Sequence, residues 1–306
     1  MRGDTHEHHI PIELNGSNFT YLFPVKLFEF QTQHGQTLEM AFMDVPPTGP
    51  SNNQTAILLH GKNFCGATWN ATVIVLASAG YRVILPDQIV YQLAPNTLAL
   101  LDILQIDEVT VIGHSMGGML AARFSLLYPN RVYKLVLTNP IGLENWIALG
   151  VPYPTTDSLW TSEKATTYAS IRGYQQATYY VGTWDPSYDV WVYMLLSIYT
   201  GSRSGQFTWN SELVTDMVLT QPVVYEFVDL KVKTSMMIRE KNNTAIGKAS
   251  APPEVQKTLG RYYILGPKVA AMIPGAMYVG FKDLGHSPQI QAPDRYHDAL
   301  LGWLKT

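Results

Sequence analysis

The feature that most constrains this chain is a serine held between glycines at a turn from a strand to a helix. The sequence Gly-His-Ser-Met-Gly occupies positions 113–117. It follows Val-Thr-Val-Ile at 109–112, which predicts a buried strand, and it precedes a predicted helix over 116–128. A serine at such a sharp turn has strained backbone angles, and the flanking glycines leave room for the neighbouring backbone. The pattern therefore predicts a nucleophile, Ser115, above the carboxyl edge of a parallel sheet.

Short strands alternate with helices on both sides of this turn. The predicted strands lie at 25–30, 38–42, 56–59, 82–87, 109–112, 135–137, 235–238 and 277–281. The predicted helices lie at 68–79, 95–105, 116–128 and 294–304. One more helix is predicted to follow the strand at 235–238 and to end near 272. Pro95 is placed at the first position of its helix. This alternation predicts an α/β fold, in which helices flank a mostly parallel central sheet on both faces.

The alternation stops near Pro140 and resumes after Leu230, and the intervening segment is rich in aromatic residues. Residues 141–230 contain five of the seven Trp and nine of the eighteen Tyr of the chain. We therefore predict an α/β core formed by 20–140 and 231–306, with an inserted, helical, aromatic-rich cap at 141–230. Such a cap would cover the nucleophile with aromatic side chains, which suits uncharged, apolar substrates.

The first residues contain no apolar segment of the kind that marks a signal peptide. Positions 1–19 are predicted to form a leader or tag-like tail. His6, His8 and His9 lie within it, and a solvated tail is favoured there over a metal site. As written, the sequence indicates a cytoplasmic protein, or a periplasmic or secreted one if a native leader was replaced.

Charge and cysteine content argue against several classes of protein. The chain has 21 Lys and Arg against 24 Asp and Glu, a net charge of −3, so it lacks the excess positive charge that binds nucleic acid. Hydrophobic residues make up 46%, which argues against intrinsic disorder. The single cysteine, Cys65, cannot form an internal disulfide. No apolar run approaches the roughly 20 residues that cross a membrane. No metal or other cofactor is expected, and the oligomeric state stays open.

With these motifs, the chain resembles the α/β-hydrolase superfamily, and within it the lid-bearing bacterial serine hydrolases and esterases. The resemblance extends over about 25–304. It rests on the turn at 113–117 and on His-Gly-Lys at 60–62, directly after a predicted strand. It implies that Ser115 is the catalytic nucleophile.

The same resemblance implies the oxyanion hole and the general base. The backbone N–H groups of Lys62 and Met116 match the family's oxyanion donors, with Asn63 as the alternative to Lys62. His286 follows the predicted strand at 277–281 and precedes a helix, where the family carries the histidine that takes the serine proton.

The family completes a catalytic triad with a carboxylate that orients the histidine, and this third residue departs from the family pattern here. The family carries a Gly-x-x-Asp turn after the strand at 235–238, and here the turn reads Arg-Glu-Lys-Asn, which puts Asn242 in place of the acid. An amide that donates through its NH₂ group would select the wrong tautomer of His286, the one whose free nitrogen does not face the serine. The matching Asp→Asn change in serine proteases costs on the order of 10⁴ in turnover. Three alternatives stay open: a weakened esterase with Asn242 as third member, a substitute acid at Glu240 or Glu144, and a binding protein without catalysis.

Taken together, these residues predict a serine hydrolase that cleaves carboxylic esters of small or medium apolar substrates through an acyl-serine intermediate. A serine-dependent C–C bond hydrolase or a lactonase is an alternative, since the same residues serve those reactions. A catalytically inactive ligand-binding homologue is another. The predicted partner is a small apolar ester, with no nucleic acid and no membrane span.

One further departure from the family is the short loop at 88–94 after Asp87, which flanks the expected pocket.

Overall fold

The structure is a computed structural model that describes residues 5–6, 19–32, 35–89 and 92–306. Within these residues, the strands are β1 (Thr5–His6), β2 (Val25–Gln31), β3 (Thr37–Val45), β4 (Thr55–Leu59), β5 (Arg82–Pro86), β6 (Val109–His114), β7 (Val132–Thr138), β8 (Lys233–Arg239) and β9 (Met277–Phe281). They form one sheet in the order β1-β2-β3-β5-β4-β6-β7-β8-β9. The pairs among β1, β2, β3 and β5 are antiparallel, whereas the pairs from β5–β4 to β8–β9 are parallel. The predicted mostly parallel sheet is confirmed.

Helices connect and flank the strands. In the described residues the α-helices are α1 (Asn70–Ser78), α2 (Leu93–Ile103), α3 (Met116–Leu127), α4 (Thr156–Lys164), α5 (Tyr168–Tyr174), α6 (Asp189–Thr200), α7 (Ser204–Thr220), α8 (Pro253–Gln256), α9 (Tyr262–Ala270), α10 (Pro288–Gln291) and α11 (Pro293–Leu304).

Two helix predictions need correction. α2 begins at Leu93, so Pro95 is its third residue and not its first; proline is tolerated there because the first four N–H groups of a helix have no intrahelical acceptor. The single helix predicted to end near position 272 is divided into α8 and α9. Gly260 lies between them with φ of +70°, a left-handed conformation that ends a helix.

Successive residues of the central strands pack into different cores on the two faces of the sheet. In β4, Ile57 and Leu59 belong to one buried cluster, whereas Ala56 and Leu58 belong to the other. Helices α2, α3 and α9 contribute to the first cluster, and α1 and α11 to the second. Because both faces are covered, these strands appear as continuous apolar runs in the sequence.

Four α-helices, α4 to α7, lie between β7 and β8. A π-helical turn at Gln175–Tyr179 follows α5 directly. The division of the chain into a core and a cap at 141 and 230 stays a prediction. Among the described residues, no helix is long and apolar enough to cross a membrane.

The start of the chain is described only in part. The backbone of Thr5–His6 pairs with β2, which a wholly solvated tail does not predict. His8 and His9 lie outside the described residues, so the predicted tail and its alternative as a metal site stay predictions.

Candidate active site

Ser115 lies at the turn between β6 and α3 with φ of 57° and ψ of −119°, a conformation that is unfavourable for a residue with a Cβ atom. Its glycine neighbours are required by close packing. A Cβ on Gly113 would lie 2.2 Å from the Gly117 carbonyl oxygen, and a Cβ on Gly117 would lie 2.1 Å from the Leu59 carbonyl oxygen. The strained turn therefore holds Ser115 at the carboxyl end of β6, the geometry typical of a nucleophile.

The loop after β4 approaches this turn closely. A Cβ on Gly61 would lie 3.1 Å from the Cβ of Ser115, so the glycine lets the two loops meet. Met116 is the first residue of α3, where a backbone N–H has no intrahelical acceptor. Within the described part of the chain, neither the Lys62 nor the Met116 N–H donates to another protein group. Both amides are therefore free to bind an oxyanion.

The structure brings Asn242 and His286 together. His286 is buried in the loop between β9 and α10. Its Nδ1 lies 3.1 Å from Oδ1 of Asn242 and 3.2 Å from Oγ1 of Thr244. Over the residues the structure describes, no hydrogen bond joins Ser115 Oγ to the His286 ring. Such bonds are often long in ligand-free structures and shorten when a substrate is bound.

Thr244 fixes the orientation of the Asn242 amide. The backbone N–H of Thr244 donates to Oδ1 at 3.1 Å, and its hydroxyl donates to the same oxygen at 2.8 Å. A backbone N–H can only donate, so the atom that faces both Thr244 and His286 is the carbonyl oxygen. Nδ1 of His286 therefore carries the proton, and its Nε2 keeps a free lone pair. The prediction that Asn242 would select the wrong tautomer is wrong, because Thr244 leaves the NH₂ group facing away from the ring.

Neither of the alternative acids reaches His286. Oε1 of Glu144 accepts a hydrogen bond from the Gly260 backbone N–H at 2.7 Å. Oε1 of Glu240 lies beside Gly280: a Cβ atom placed on this glycine would be 3.1 Å from that oxygen. Among the described residues, no carboxylate is hydrogen-bonded to the His286 ring, so the prediction of a substitute acid at either position finds no support in the geometry.

A buried arginine stands at the end of β8, where the family pattern has glycine. Arg239 is 0% exposed, and within the described residues none of its guanidinium nitrogens has a hydrogen-bond partner. Its guanidinium carbon lies 4.8 Å from the centroid of the Phe281 ring. Burial lowers the pKa of Arg239 to about 9. Burial also lowers the pKa of His286 well below its ordinary value, and the interactions with His114 and Arg239 lower it further.

This environment predicts that His286 still accepts a proton in acid. The base form of His286 is the neutral imidazole, so a lowered pKa leaves it able to accept a proton at lower pH. We expect the acid limb of the profile of kcat/KM against pH to lie clearly below the ordinary histidine value of 6.5. Arg239→Met should move that limb upward, because it removes a positive charge. Circular dichroism at each pH distinguishes titration from unfolding, and an acid limb at or above 6.5 in the folded wild type would contradict the prediction.

Of the other histidines with described side chains, His60 and His114 make hydrogen bonds to loops, and His297 joins helix α11 to α1. The Gln88 backbone N–H donates to Nε2 of His60 at 3.0 Å. Nε2 of His114 bonds the His286 carbonyl oxygen at 2.9 Å, and Nε2 of His297 bonds a threonine hydroxyl of α1 at 3.0 Å. In the part of the chain that the structure describes, no three His, Cys, Asp or Glu side chains are grouped to hold a metal ion.

An aromatic side chain from the segment between β7 and β8 covers the imidazole. Tyr179, in the π-helical turn, stacks on His286 with ring centroids 5.2 Å apart and an interplanar angle of 28°. Its hydroxyl accepts a hydrogen bond from Nδ2 of Asn63 at 3.0 Å. Gly285 packs so closely against the backbone of Tyr179 that a Cβ atom on the glycine would lie 2.2 Å from the Tyr179 carbonyl oxygen. The π-helical turn is therefore in direct contact with the loop that carries His286.

A pocket of about 300 Å³ opens beside the loop after β4 and the start of α3. Lys62 and Met116 line it, whereas Ser115 is not among its described lining residues. Phe64 also lines it, and its ring lies 5.3 Å from that of Tyr179. Phe64 therefore lies between this pocket and Tyr179, the residue that stacks on the imidazole. The other large apolar side chains in the lining are Phe19, Tyr21, Ile89, Met194, Ile198, Phe207 and Val214.

The Lys62 side chain ties the oxyanion loop to three helices of the segment between β7 and β8. Its Nζ donates to Oε1 of Glu163 on α4 at 2.6 Å and to Oγ of Ser211 on α7 at 2.8 Å. Tyr199 on α6 donates to the other oxygen of Glu163. The ion pair is mostly buried, with side-chain exposures of 17% and 15%. The side chain of Lys62 thus joins the loop to these helices, while its backbone N–H stays free.

We predict that this ion pair contributes to stability as a coupled unit. Lys62→Met keeps the backbone N–H but leaves Glu163 with no counter-charge, and it should lower the free energy of unfolding by about 1–3 kcal/mol. Glu163→Gln should have a similar effect. The double variant should be less destabilised than the sum of the two, as chemical denaturation can measure. Strictly additive losses would show that the two side chains act independently.

Comparison with known proteins decides the family. A family model of the α/β hydrolase fold matches residues 57–180. Over almost its whole length, the chain is similar to the solved structure of a probable hydrolytic enzyme from Pseudomonas aeruginosa PAO1. The two are 50% identical with a TM-score of 0.93, and the match covers 95% of this chain and 97% of that one. The chain belongs to the α/β-hydrolase family.

Curated relatives of this α/β-hydrolase match a shorter segment. A 2-hydroxy-6-oxononadienedioate/2-hydroxy-6-oxononatrienedioate hydrolase from Paraburkholderia xenovorans (strain LB400) is 39% identical over 101 residues, which are 28% of this chain and 35% of the relative. A hydrolase of the same name from Pseudomonas putida is 34% identical over 119 residues, which are 33% of this chain and 41% of the relative. The chain therefore matches only about two fifths of the length of these relatives.

Sequence reasoning missed three features of the site in this α/β-hydrolase. Thr244 lies two residues after Asn242, and asparagine side chains commonly accept from the backbone N–H two residues on, so that spacing was a usable signal. No local signal marks Tyr179 or the Lys62 side chain, because both contact residues more than a hundred positions away.

Proposed function

We propose that the protein is a serine hydrolase that cleaves carboxylic esters of small or medium apolar substrates. The observation that carries the proposal is the strained Ser115 turn beside two free backbone amides. Strain at one residue persists only where the surrounding structure enforces it, and it concentrates at functional sites. A nucleophile next to two unengaged N–H donors is the arrangement that acyl transfer requires.

The reaction would proceed through an acyl-enzyme. Nε2 of His286 accepts the proton of Ser115 as Oγ bonds to the substrate carbonyl carbon, and the carbonyl oxygen becomes an oxyanion. The N–H groups of Lys62 and Met116 donate to that oxyanion. When the tetrahedral intermediate collapses, the C–O bond breaks, the alcohol takes the proton from His286, and an acyl-Ser115 remains. A water molecule then attacks in the same way and releases the acid.

Asn242 would serve as a neutral third member of the triad. Its Oδ1 keeps the proton of His286 on Nδ1, which is the tautomer that leaves Nε2 free for the serine. It supplies no negative charge to stabilise the imidazolium of the transition state, and Arg239 disfavours that cation further. Turnover is therefore expected to be lower than in a relative with aspartate at this position.

The charges around the pocket favour an uncharged substrate. The pocket is lined by the cations Lys62 and Arg203 and by the carboxylate of Asp87. Glu163, which is not among the lining residues, pairs with Lys62 at 2.6 Å, so the four side chains together carry no net charge. With no net charge and a mostly apolar lining, the pocket suits the hydrocarbon part of a neutral ester.

We further propose that 141–230 acts as a cap over a core formed by 20–140 and 231–306. Two contacts support this division. Tyr179 stacks on His286, and the ion pair between Lys62 and Glu163 joins the oxyanion loop to α4. A cap held at these two points would exclude water from the reacting groups.

C–C bond hydrolysis is a second candidate, favoured by the names of the curated relatives. Those names denote substrates with two carboxylates, and a dianion gains little from a pocket without net positive charge. Assaying p-nitrophenyl butyrate and 2-hydroxy-6-oxononadienedioate side by side separates the two candidates. We expect kcat/KM for the ester to be at least tenfold higher, and the reverse order would establish the C–C candidate. If neither is turned over while an apolar ligand raises Tm, the protein is a binding homologue.

A further inference from the structure

Two cavities lie on either side of Met116. The first is the pocket of about 300 Å³ described above, and the second has a volume of about 400 Å³. Met116 is the one described residue that lines both. The residue that supplies a proposed oxyanion N–H therefore also borders both cavities.

The two cavities share a wall. Helix α7 lines the first through Val214 and the second through Met217, and three residues of a helix advance by about 4.5 Å. Helix α7 therefore continues as a wall from the first cavity to the second, and Met116 lines both.

The chemistry of the second cavity fits a hydrocarbon chain. Its walls are built from apolar side chains, among them Leu93, Met119, Leu120 and Val223. The one cation in its described lining, Arg123, is paired with Glu226. The pair leaves little charge to attract an anion, so apolar contact dominates there.

Met116 is suited to act as a movable partition. Methionine is unbranched, with three rotatable bonds, and adapts to irregular spaces. Its backbone is held at the first turn of α3 by the Met119 and Gly118 bonds to the Ser115 carbonyl oxygen. The side chain can therefore change rotamer while the backbone N–H keeps its place.

We propose that the second cavity is a subsite for the distal part of a long apolar acyl or alcohol chain, and that the Met116 side chain sets the chain length accepted. This inference rests on the proposed ester hydrolysis and names the substrate class more closely. Short esters occupy the first cavity alone, whereas longer chains pass Met116 and enter the second.

The test is a chain-length series of p-nitrophenyl esters from butyrate to dodecanoate. Met116→Ala joins the two cavities and should raise the ratio of kcat/KM for dodecanoate to that for butyrate at least tenfold, since each further buried methylene is worth about fourfold. Met194 lines only the first cavity, so Met194→Ala is the matched control and should leave the ratio within about twofold of wild type. An unchanged ratio in Met116→Ala, or an equal rise in Met194→Ala, would overturn the proposal.

A second variant tests where the longer chain goes. Met217 lines the second cavity from α7, and Met217→Trp added to Met116→Ala should refill that space. We expect the ratio to return to about the wild-type value. A ratio that stays high would mean that the chain leaves the first cavity in another direction, which would overturn the assignment of the second.

A binding measurement separates this inference from the proposed function. In the Ser115→Ala variant, we compare the rise in Tm caused by 1-decanol with the rise caused by 1-butanol. The difference between these two rises should be larger when Met116→Ala is added. If no ester is turned over but this difference appears, the subsite stands and the catalytic proposal fails. If esters are hydrolysed but neither chain-length preference nor Tm responds to Met116→Ala, the subsite alone fails.

Discussion

Replacing Ser115 with alanine should reduce kcat/KM for p-nitrophenyl butyrate by at least about 10³-fold. The change removes the Oγ atom that forms the acyl bond, while the free amides of Lys62 and Met116 remain. A small residual rate is expected from those donors alone. The loss should be smaller than in enzymes with a complete triad, because Asn242 contributes no charge to the transition state.

The matched control for this variant is another serine of the same helix region. Ser125 lies on α3, and its Oγ donates to the Ala121 carbonyl oxygen at 2.8 Å. Ser125→Ala removes the same atom away from the site and should keep kcat/KM within about twofold of wild type. Equal rates in wild type and Ser115→Ala would show that the hydrolysis takes place elsewhere.

Asn242→Asp should raise turnover by roughly ten- to a hundredfold. The new carboxylate would accept the same hydrogen bonds from Thr244 and from Nδ1 of His286, and it would add the negative charge that stabilises the imidazolium. The gain should fall short of the full 10⁴ of serine proteases, because the correct tautomer is already held by Oδ1. The acid limb of the pH profile should move upward, since a nearby carboxylate favours protonated His286.

Asn242→Leu is the control that separates orientation from charge. It keeps a similar shape but removes the amide oxygen, so Nδ1 of His286 loses the partner at 3.1 Å and keeps only the Thr244 hydroxyl at 3.2 Å. Turnover should fall by at least tenfold. Kinetics of both variants, with circular dichroism to confirm folding, give the comparison. If Asn242→Asp folds normally and shows no gain, the third position does not limit the reaction.

Much of the fold follows from local patterns in the sequence. The strands of the parallel sheet are buried on both faces, so β4, β6, β7 and β8 each appear as short apolar runs. Gly113 and Gly117 mark the nucleophile turn because a side chain on Gly113 would meet the backbone of Gly117, and one on Gly117 would meet the backbone at the end of β4. These signals arise from neighbouring residues, which is why they can be read without a structure.

Part of the electrostatics of the site depends on burial and on contacts between distant residues, and that part could not be predicted. The orientation of the Asn242 amide is a local exception, because Thr244 lies only two residues further on. Arg239 occupies a turn position where a solvated charge is ordinary, and only the packed structure shows it buried. The stacking of Tyr179 on His286 joins two residues that are more than a hundred positions apart in the sequence.

The most direct test of the account is covalent labelling of the folded protein by a fluorophosphonate, followed by peptide mass spectrometry. A phosphonyl group can attach only where a serine is made nucleophilic by a neighbouring base and its oxyanion is stabilised. We expect one modified peptide, carrying the label on Ser115, and no labelling of Ser115→Ala under the same conditions. An unlabelled wild-type protein, or a label on a different residue, would contradict the assignment of Ser115 and His286 as nucleophile and base.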